Sequence, residues 1–265
     1  MLHLNAIKLK AMEYYKNEED FKEKCGYEID DNWYPRVTKI VGIKNKPALL
    51  FYYAEAASYR AAQAMTTKSA EEGTLIHETM EKIFVGESPY IDPSIKPAIE
   101  AYLAFREQNS IQIDPEYIEK RVVSHDHRYA GTMDALALIG GRFGVLDIKT
   151  SAAIYRDYSL QTSAYIAPLK KEIPELKTRW ILRIDQQHSC LKCAAMMRPK
   201  GGREKIKKGR GGSCPNEEHE WSELQGIIEL KEFYKWENDF RAFLSAKTLW
   251  EWENEYWLKR VGYLS

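Results

Sequence analysis

The segment from Tyr129 to Thr150, YAGTMDALALIGGRFGVLDIKT, constrains the fold of this chain more than any other. Both of its halves are rich in apolar residues, and Gly140 and Gly141 stand between them. Two such runs joined by two glycines are typical of a β-hairpin, because glycine readily adopts the positive φ angles of a tight hairpin turn. The sequence therefore predicts two antiparallel strands, at 129–139 and 142–150.

Two carboxylates and one ammonium group interrupt this apolar hairpin. Side chains alternate between the two faces of a strand, so Asp147 and Lys149 point to the same face. Asp134 interrupts the apolar run of the other strand, where a buried carboxylate is costly unless a cation balances its charge. Two carboxylates that converge across a hairpin offer the oxygen ligands that Mg²⁺ and Mn²⁺ prefer. Taken alone, however, the D-x-K pattern favours a structural Asp–Lys pair at a strand end.

Helical patterns dominate before the hairpin and alternate with strands after it. Helices are predicted at 7–25, 47–65, 69–86 and 93–108, which makes residues 1–110 mainly helical. Strands are predicted at 117–124 and 178–185, and further helices at 158–171 and 231–257. This order predicts one mixed α/β domain over residues 1–265, with its core at about 69–185 and a Cys- and Lys-rich insertion at about 186–222.

Composition and charge limit the classes of protein to consider. Lysine plus arginine (39) equals aspartate plus glutamate (39), so a nucleic-acid partner would have to be held by a local basic patch. The chain has no run of 18 uncharged apolar residues, and its first residues lack the pattern of a cleaved signal. We therefore expect a cytoplasmic protein with no membrane partner. Its four cysteines then indicate metal or redox chemistry rather than disulfides.

Four short motifs follow one another along the chain. They are GTLIHETME with Gly73, His77 and Glu81; GTMD with Asp134; DIK with Asp147 and Lys149; and QTSAY with Gln161 and Tyr165. In this order they resemble the RecB-like branch of the PD-(D/E)XK nuclease superfamily, which includes phage, bacterial and CRISPR-associated nucleases. The resemblance spans roughly residues 33–184. It implies a restriction-endonuclease-like core (a helix, a three-stranded antiparallel meander, a helix and a strand) with N-terminal helical additions.

The resemblance also implies roles for the motif residues. The metal ligands would be His77, Asp134, Asp147 and the backbone carbonyl of Ile148, with Mg²⁺ or Mn²⁺ as the cofactor. The catalytic set would be Asp134, Asp147, Lys149, Glu81, Gln161 and Tyr165. Residues four apart share one face of a helix, so the His77–Glu81 pair would point inward together, and the Gln161–Tyr165 pair would contact Lys149 or the DNA backbone.

The activity implied by the resemblance is metal-dependent hydrolysis of DNA, by an exonuclease that acts at ends or on single strands. Such enzymes serve recombination, repair or phage DNA processing, and a recombinase, a helicase or a single-strand-binding protein is a candidate partner. Two alternatives stay open. One is a non-catalytic DNA-binding module, and the other is a zinc or iron–sulfur subunit of a larger nuclease–helicase complex.

The cysteine-rich insertion contains a second candidate site. Cys190, Cys193, Cys214 and His219 have the residue types and the paired spacing of a four-ligand zinc knuckle. An iron–sulfur cluster held by Cys25 with the three later cysteines is an alternative, and an unliganded loop is another. Between the two ligand pairs, a glycine-containing and therefore flexible segment is predicted to bind DNA phosphates. Its basic residues are Arg198, Lys200, Arg203, Lys205, Lys207, Lys208 and Arg210.

Overall fold

The computed structural model of the protein describes residues 15–44, 53–54, 58–209 and 214–265. The helices are α1 (Glu18–Cys25), α2 (Val37–Val41), α3 (Tyr59–Phe84), α4 (Lys96–Asn109), α5 (Tyr158–Glu172), α6 (Trp236–Glu253) and α7 (Glu255–Arg260). The strands are β1 (Gly26–Ile29), β2 (Asn32–Pro35), β3 (Gln112–Asp114), β4 (Lys120–Ser124), β5 (Tyr129–Met133), β6 (Ala135–Ile139), β7 (Arg142–Lys149), β8 (Thr178–Ser189), β9 (Met196–Lys200), β10 (Arg203–Lys207) and β11 (Gln225–Phe233). Within these ranges, no helix combines the length and the apolar character needed to cross a membrane.

A seven-stranded mixed sheet organises the fold. Its strands follow the order β10-β9-β8-β7-β6-β3, and β11 also pairs with β8. The β7–β8 pair is parallel, whereas β6–β7, β8–β9 and β8–β11 are antiparallel. The long strand β8 therefore contacts three neighbours, and the C-terminal end of β7 lies beside the middle of β8.

Helices cover both faces of this sheet. Along β6 and β7, Leu136 and Val145 belong to one hydrophobic cluster, which the helices α1, α2, α5, α6 and α7 complete. Ala135, Leu146 and Ile148 belong to the other cluster, which α3 and α4 complete. This alternation follows from the two-residue period of a strand, and it confirms the predicted mixed α/β class.

The predicted hairpin is confirmed at its turn and in its second strand. Gly140 and Gly141 have φ angles of 57° and 74°, as a tight hairpin turn requires. The first strand differs from the prediction, because it is broken at Asp134. Residues 129–133 pair with β4 in a separate ladder, and only residues 135–139 join the main sheet. The predicted three-stranded meander is therefore wrong as one continuous ladder.

Several predicted bounds in the N-terminal half also need correction. An antiparallel pair, β1 and β2, lies within the part predicted to be helical. From residue 59 onwards, the helices predicted at 47–65 and 69–86 form one helix, Tyr59–Phe84, which begins after the extended Ser58. Thr66 does not interrupt it, because its hydroxyl donates to the carbonyl of Ala62 one turn earlier. Residues 7–14 of the first predicted helix and residues 47–52 and 55–57 of the second lie outside the described residues.

The C-terminal part of the chain differs from the prediction because additional strands pair with β8. Residues Gln225–Phe233 form β11, which pairs with β8 along its whole length, so the predicted helix at 231–257 begins only at Trp236. The predicted insertion begins within β8, which runs to Ser189. Its basic segment forms β9 and β10, which extend the main sheet.

Candidate active site

The two motif carboxylates lie opposite each other across the β6–β7 pair. Ala135 pairs with Leu146 in this register, so the next position places Asp134 opposite Asp147. Asp134 lies at the bend between β5 and β6, and its Oδ2 accepts a 2.5 Å hydrogen bond from the backbone nitrogen of Ile148. The break in the first strand thus turns the Asp134 carboxylate towards the end of β7.

Asp147 is the centre of a network that joins β7 to α5. Lys149 Nζ lies 2.5 Å from Asp147 Oδ2, and Gln161 Nε2 donates to Asp147 Oδ1 at 3.1 Å. Gln161 Nε2 also lies 3.0 Å from the hydroxyl of Tyr165, and Lys149 Nζ lies over the ring of Tyr158. Gln161 therefore contacts the carboxylate of Asp147 and the hydroxyl of Tyr165. The predicted contact of this pair with Lys149 or the DNA backbone stays a prediction.

The helix α3 brings His77 to the same place. His77 Nδ1 lies 3.9 Å from Asp134 Oδ2, and the His77 side chain is 34% exposed, which leaves its ring open to the site. Glu81, one turn later, is exposed, so the predicted half-burial of the pair holds for His77 alone. The role of Glu81 stays a prediction.

The charges of this site do not balance. Burial raises the pKa of Asp147 to about 6, with Lys149 opposing the rise and Asp134 adding to it. Burial also raises the pKa of Asp134. Burial alone would lower the pKa of Lys149, but the two carboxylates outweigh it and raise that pKa. The pKa of His77 is lowered, first by burial and then by Lys149, so the imidazole is neutral near pH 7. Lys149 pairs with Asp147, whereas Asp134 forms no ion pair with a lysine or arginine within the described part of the chain, so a further cation would balance Asp134.

Two glycines of the motifs are explained by close approach. A Cβ atom at Gly73 would lie 2.8 Å from Thr150 Oγ1, so glycine lets α3 contact the chain directly after Lys149. A Cβ atom at Gly131 would lie 2.6 Å from Cε1 of Tyr165. Both glycines therefore serve the packing that assembles the site around the end of β7.

Glu119 is a site residue that the sequence analysis did not identify. Burial first, and then the charges of Asp134, Glu81 and Asp147, raise the pKa of Glu119 to about 7. Its backbone nitrogen donates to the carbonyl of Asp134, which fixes it beside the bend between β5 and β6. No motif marks this position, because the pairing that brings residue 119 to Asp134 is visible only in the fold.

The three later cysteines and one histidine form a second group. Their ligand atoms, those of Cys190, Cys193, Cys214 and His219, all lie within 4.8 Å of one another, so the group could hold a metal ion such as zinc. Cys25 lies elsewhere, in the cluster with α1, where its Sγ contacts the hydroxyl of Tyr15 at 3.1 Å. The structure therefore favours the Cys₃His set over the iron–sulfur set that includes Cys25.

The basic segment forms a β-hairpin over residues 196–207 rather than an irregular loop. Gly201 and Gly202, with φ angles of 66° and 76°, form its turn. Arg198 and Lys200 are half-buried and both donate to the carbonyl of Thr150, directly after Lys149. The other predicted DNA-binding residues differ in exposure: Arg203 is half-buried, Lys205, Lys207 and Lys208 are exposed, and Arg210 lies outside the described residues.

The chain was also compared with known proteins. No family model matches it, and no curated protein sequence matches it.

Proposed function

We propose that this protein is a metal-dependent deoxyribonuclease of the RecB-like branch of the PD-(D/E)XK superfamily, built on a restriction-endonuclease-like core. One observation carries the proposal: the carboxylate of Asp134 accepts from the backbone nitrogen of Ile148, directly after Asp147, whose own carboxylate pairs with Lys149. A purely structural Asp–Lys pair would need only one of these carboxylates.

The residues present fit a divalent cation. The carboxylates of Asp134 and Asp147 provide hard oxygen ligands, and His77 provides a neutral imidazole 3.9 Å from Asp134. The carbonyl of Ile148 completes the proposed ligand set for Mg²⁺ or Mn²⁺. When bound, such a cation polarises a phosphoryl oxygen and lowers the pKa of a coordinated water.

The other side chains have separate roles in this proposal. Lys149 is held in its protonated form by the two carboxylates, which suits an ammonium group that donates to a phosphate oxygen as negative charge builds there. Gln161 holds one oxygen of Asp147 and thereby fixes the orientation of that carboxylate. Tyr165 is fully buried, so it acts through Gln161 rather than on the substrate.

The substrate class follows from the same proposal. A RecB-like enzyme is expected to act as an exonuclease at DNA ends or on single strands, in recombination, repair or phage DNA processing. The exposed lysines of the β9–β10 hairpin support a polyanionic substrate, because they concentrate positive charge locally on a chain whose net charge is zero. A recombinase, a helicase or a single-strand-binding protein is the proposed kind of protein partner.

The experiment that tests the proposal compares two aspartate variants on end-labelled single- and double-stranded DNA with Mn²⁺. Asp147→Ala is expected to reduce cleavage more than about 100-fold, because even groups that only orient metal ligands contribute 10- to 100-fold. Asp126→Ala is the matched control. Asp126 lies in the turn between β4 and β5, where it is exposed and forms an ion pair with Lys171. The Asp126→Ala variant is expected to retain full activity.

Two results would contradict the proposal. The first is full cleavage by Asp147→Ala, which would place the activity elsewhere. The second is a folded wild-type protein that shifts DNA in a gel but cleaves it with neither Mg²⁺ nor Mn²⁺. That second result would indicate a DNA-binding module that uses the basic hairpin without catalysis.

A further inference from the structure

We propose that Cys190, Cys193, Cys214 and His219 hold a structural zinc ion that fixes the β9–β10 hairpin against the end of β7, beside the candidate active site. The zinc site itself does not depend on the proposed nuclease function. Only the benefit of the fixed hairpin for catalysis rests on that function.

The interatomic distances fit tetrahedral zinc. Cys190 Sγ lies 3.7 Å from Cys214 Sγ, and Cys193 Sγ lies 3.5 Å from His219 Nδ1. Zinc bonds of about 2.3 Å to sulfur and 2.0–2.1 Å to nitrogen, at tetrahedral angles, separate two sulfurs by roughly 3.8 Å and a sulfur from a nitrogen by roughly 3.6 Å. A disulfide would require the sulfurs to lie about 2.05 Å apart, and all three cysteines are free.

The backbone around the cysteines is arranged to support thiolates. The backbone nitrogens of Lys192 and Ala195 each donate to a cysteine sulfur, those of Cys190 and Cys193 respectively, at 3.4 Å. Such N–H···S bonds stabilise negative charge on sulfur, which is the form that binds metal. The four ligands thus form a set ready for a cation, rather than four residues brought together by packing alone.

The cluster lies where three chain segments meet. Cys190 directly follows β8, and its backbone nitrogen donates to the carbonyl of Ala195, one residue before β9. Cys190 also forms a bridge to Trp221, in the segment that leads into β11. A metal ion bound here would therefore tie the beginning of the hairpin to the segment through which the chain returns to the main sheet.

The hairpin in turn contacts both elements of the candidate active site. Arg198 Nη2 donates to the carbonyl of Thr150 at 2.8 Å, and Lys200 Nζ donates to the same carbonyl. At the turn, the backbone nitrogen of Gly201 donates to Glu72 Oε1 at 3.1 Å, on the helix that carries His77. The hairpin thus joins the end of β7 to α3.

A buried carboxylate anchors this arrangement. Asp185 Oδ2 accepts from Arg198 Nε at 2.5 Å and from Arg183 Nη1 at 3.0 Å. Lys200 is close enough to the site to contribute to the lowered pKa of His77. If the hairpin moved away, the site would lose this neighbouring cation and the contacts that hold Thr150.

The first experiment measures zinc in the purified protein by mass spectrometry. We expect about one zinc per chain in the wild type and in Cys25→Ala, which is the matched cysteine control, and almost none in Cys214→Ser. His219→Cys should retain zinc, because a fourth thiolate can replace the imidazole as a ligand. If His219 served only to pack against Trp221, a cysteine would not replace that contact. Wild-type protein that takes up neither zinc nor cobalt, or that is brown with bound iron, would overturn the proposal.

The second experiment tests the link to the active site by hydrogen exchange. Cys214→Ser should exchange at least about tenfold faster than the wild type in Met196–Lys207, while β6 and the first residues of β7 keep their protection. Unchanged exchange in the hairpin after loss of zinc would overturn the proposed fixing of the hairpin. A protein that contains zinc but never cleaves DNA would contradict the nuclease function only, so the two failures are distinguishable.

Discussion

Replacement of Lys149 by methionine is expected to reduce DNA cleavage about 100- to 1000-fold, the loss that follows removal of one charge-stabilising donor from an active site. Methionine keeps most of the apolar length of the lysine side chain but removes its ammonium group. Binding of Mn²⁺ should not weaken, because Asp134 and Asp147 then lose the internal cation that competes with the metal. Lys149 Nζ lies 2.5 Å from Asp147 Oδ2, so this competition is direct.

The measurement is single-turnover cleavage of end-labelled DNA at saturating Mn²⁺, with the metal affinity obtained by calorimetry. Lys171→Met is the control. Lys171 is exposed, and among the ion pairs of the described residues its one partner is Asp126, in a turn away from the candidate active site. An unchanged cleavage rate in Lys149→Met would contradict the proposed role of this residue. A large fall in Mn²⁺ affinity would show instead that Lys149 supports the structure of the site.

Asp134→Asn is expected to abolish metal-dependent cleavage and yet to stabilise the metal-free protein. Asparagine has nearly the same shape and can still accept the hydrogen bond from the backbone nitrogen of Ile148. It removes the excess carboxylate and leaves Asp147 and Lys149 as a balanced pair. Each unit by which the folded state raises the pKa of Asp134 corresponds to about 1.4 kcal/mol of stability that the substitution would recover.

The stability that Asp134→Asn adds to the metal-free protein should increase with pH. The pKa of Asp134 is raised in the folded state, so the folded protein binds the proton more tightly than the unfolded chain does. The destabilisation is therefore absent below the unfolded value of 3.8 and is complete only above the raised folded pKa. Denaturant unfolding in EDTA should show a larger advantage for Asp134→Asn at pH 8 than at pH 4. Equal stability of the two proteins at pH 8 would contradict the expected cost of burying the charged Asp134 carboxylate.

Local rules were sufficient to predict which residues of the hairpin meet at the candidate site. The two-residue period of a strand put Asp147 and Lys149 on one face, and the glycine turn set the hairpin that brings Asp134 opposite Asp147. The Cys₃His set followed from residue types and spacing. The shared strand face and the hairpin depend only on neighbouring residues and a short turn. The Cys₃His set can be recognised because the spacing of its ligand pairs is typical of zinc sites.

Long-range pairing could not be predicted in the same way. The pairing of β11 with β8 joins residues 38 to 54 positions apart, so no local pattern distinguished this strand from the start of a helix. The contacts of Arg198 and Lys200 with Thr150 likewise depend on β9 joining the sheet. A basic, glycine-containing segment was therefore predicted as a flexible loop, although its glycines form a tight turn. Glu119 was missed for the same reason.

The most direct test of the central claim is the cleavage rate of end-labelled DNA by the wild-type protein, measured over a range of Mn²⁺ concentrations beside the Mn²⁺ binding curve of the same preparation. If Asp134 and Asp147 hold the catalytic metal, the rate should rise with Mn²⁺, reach half of its maximum at the dissociation constant of the site, and level off as the site fills. A protein that is saturated with Mn²⁺ but leaves single- and double-stranded DNA intact would contradict it.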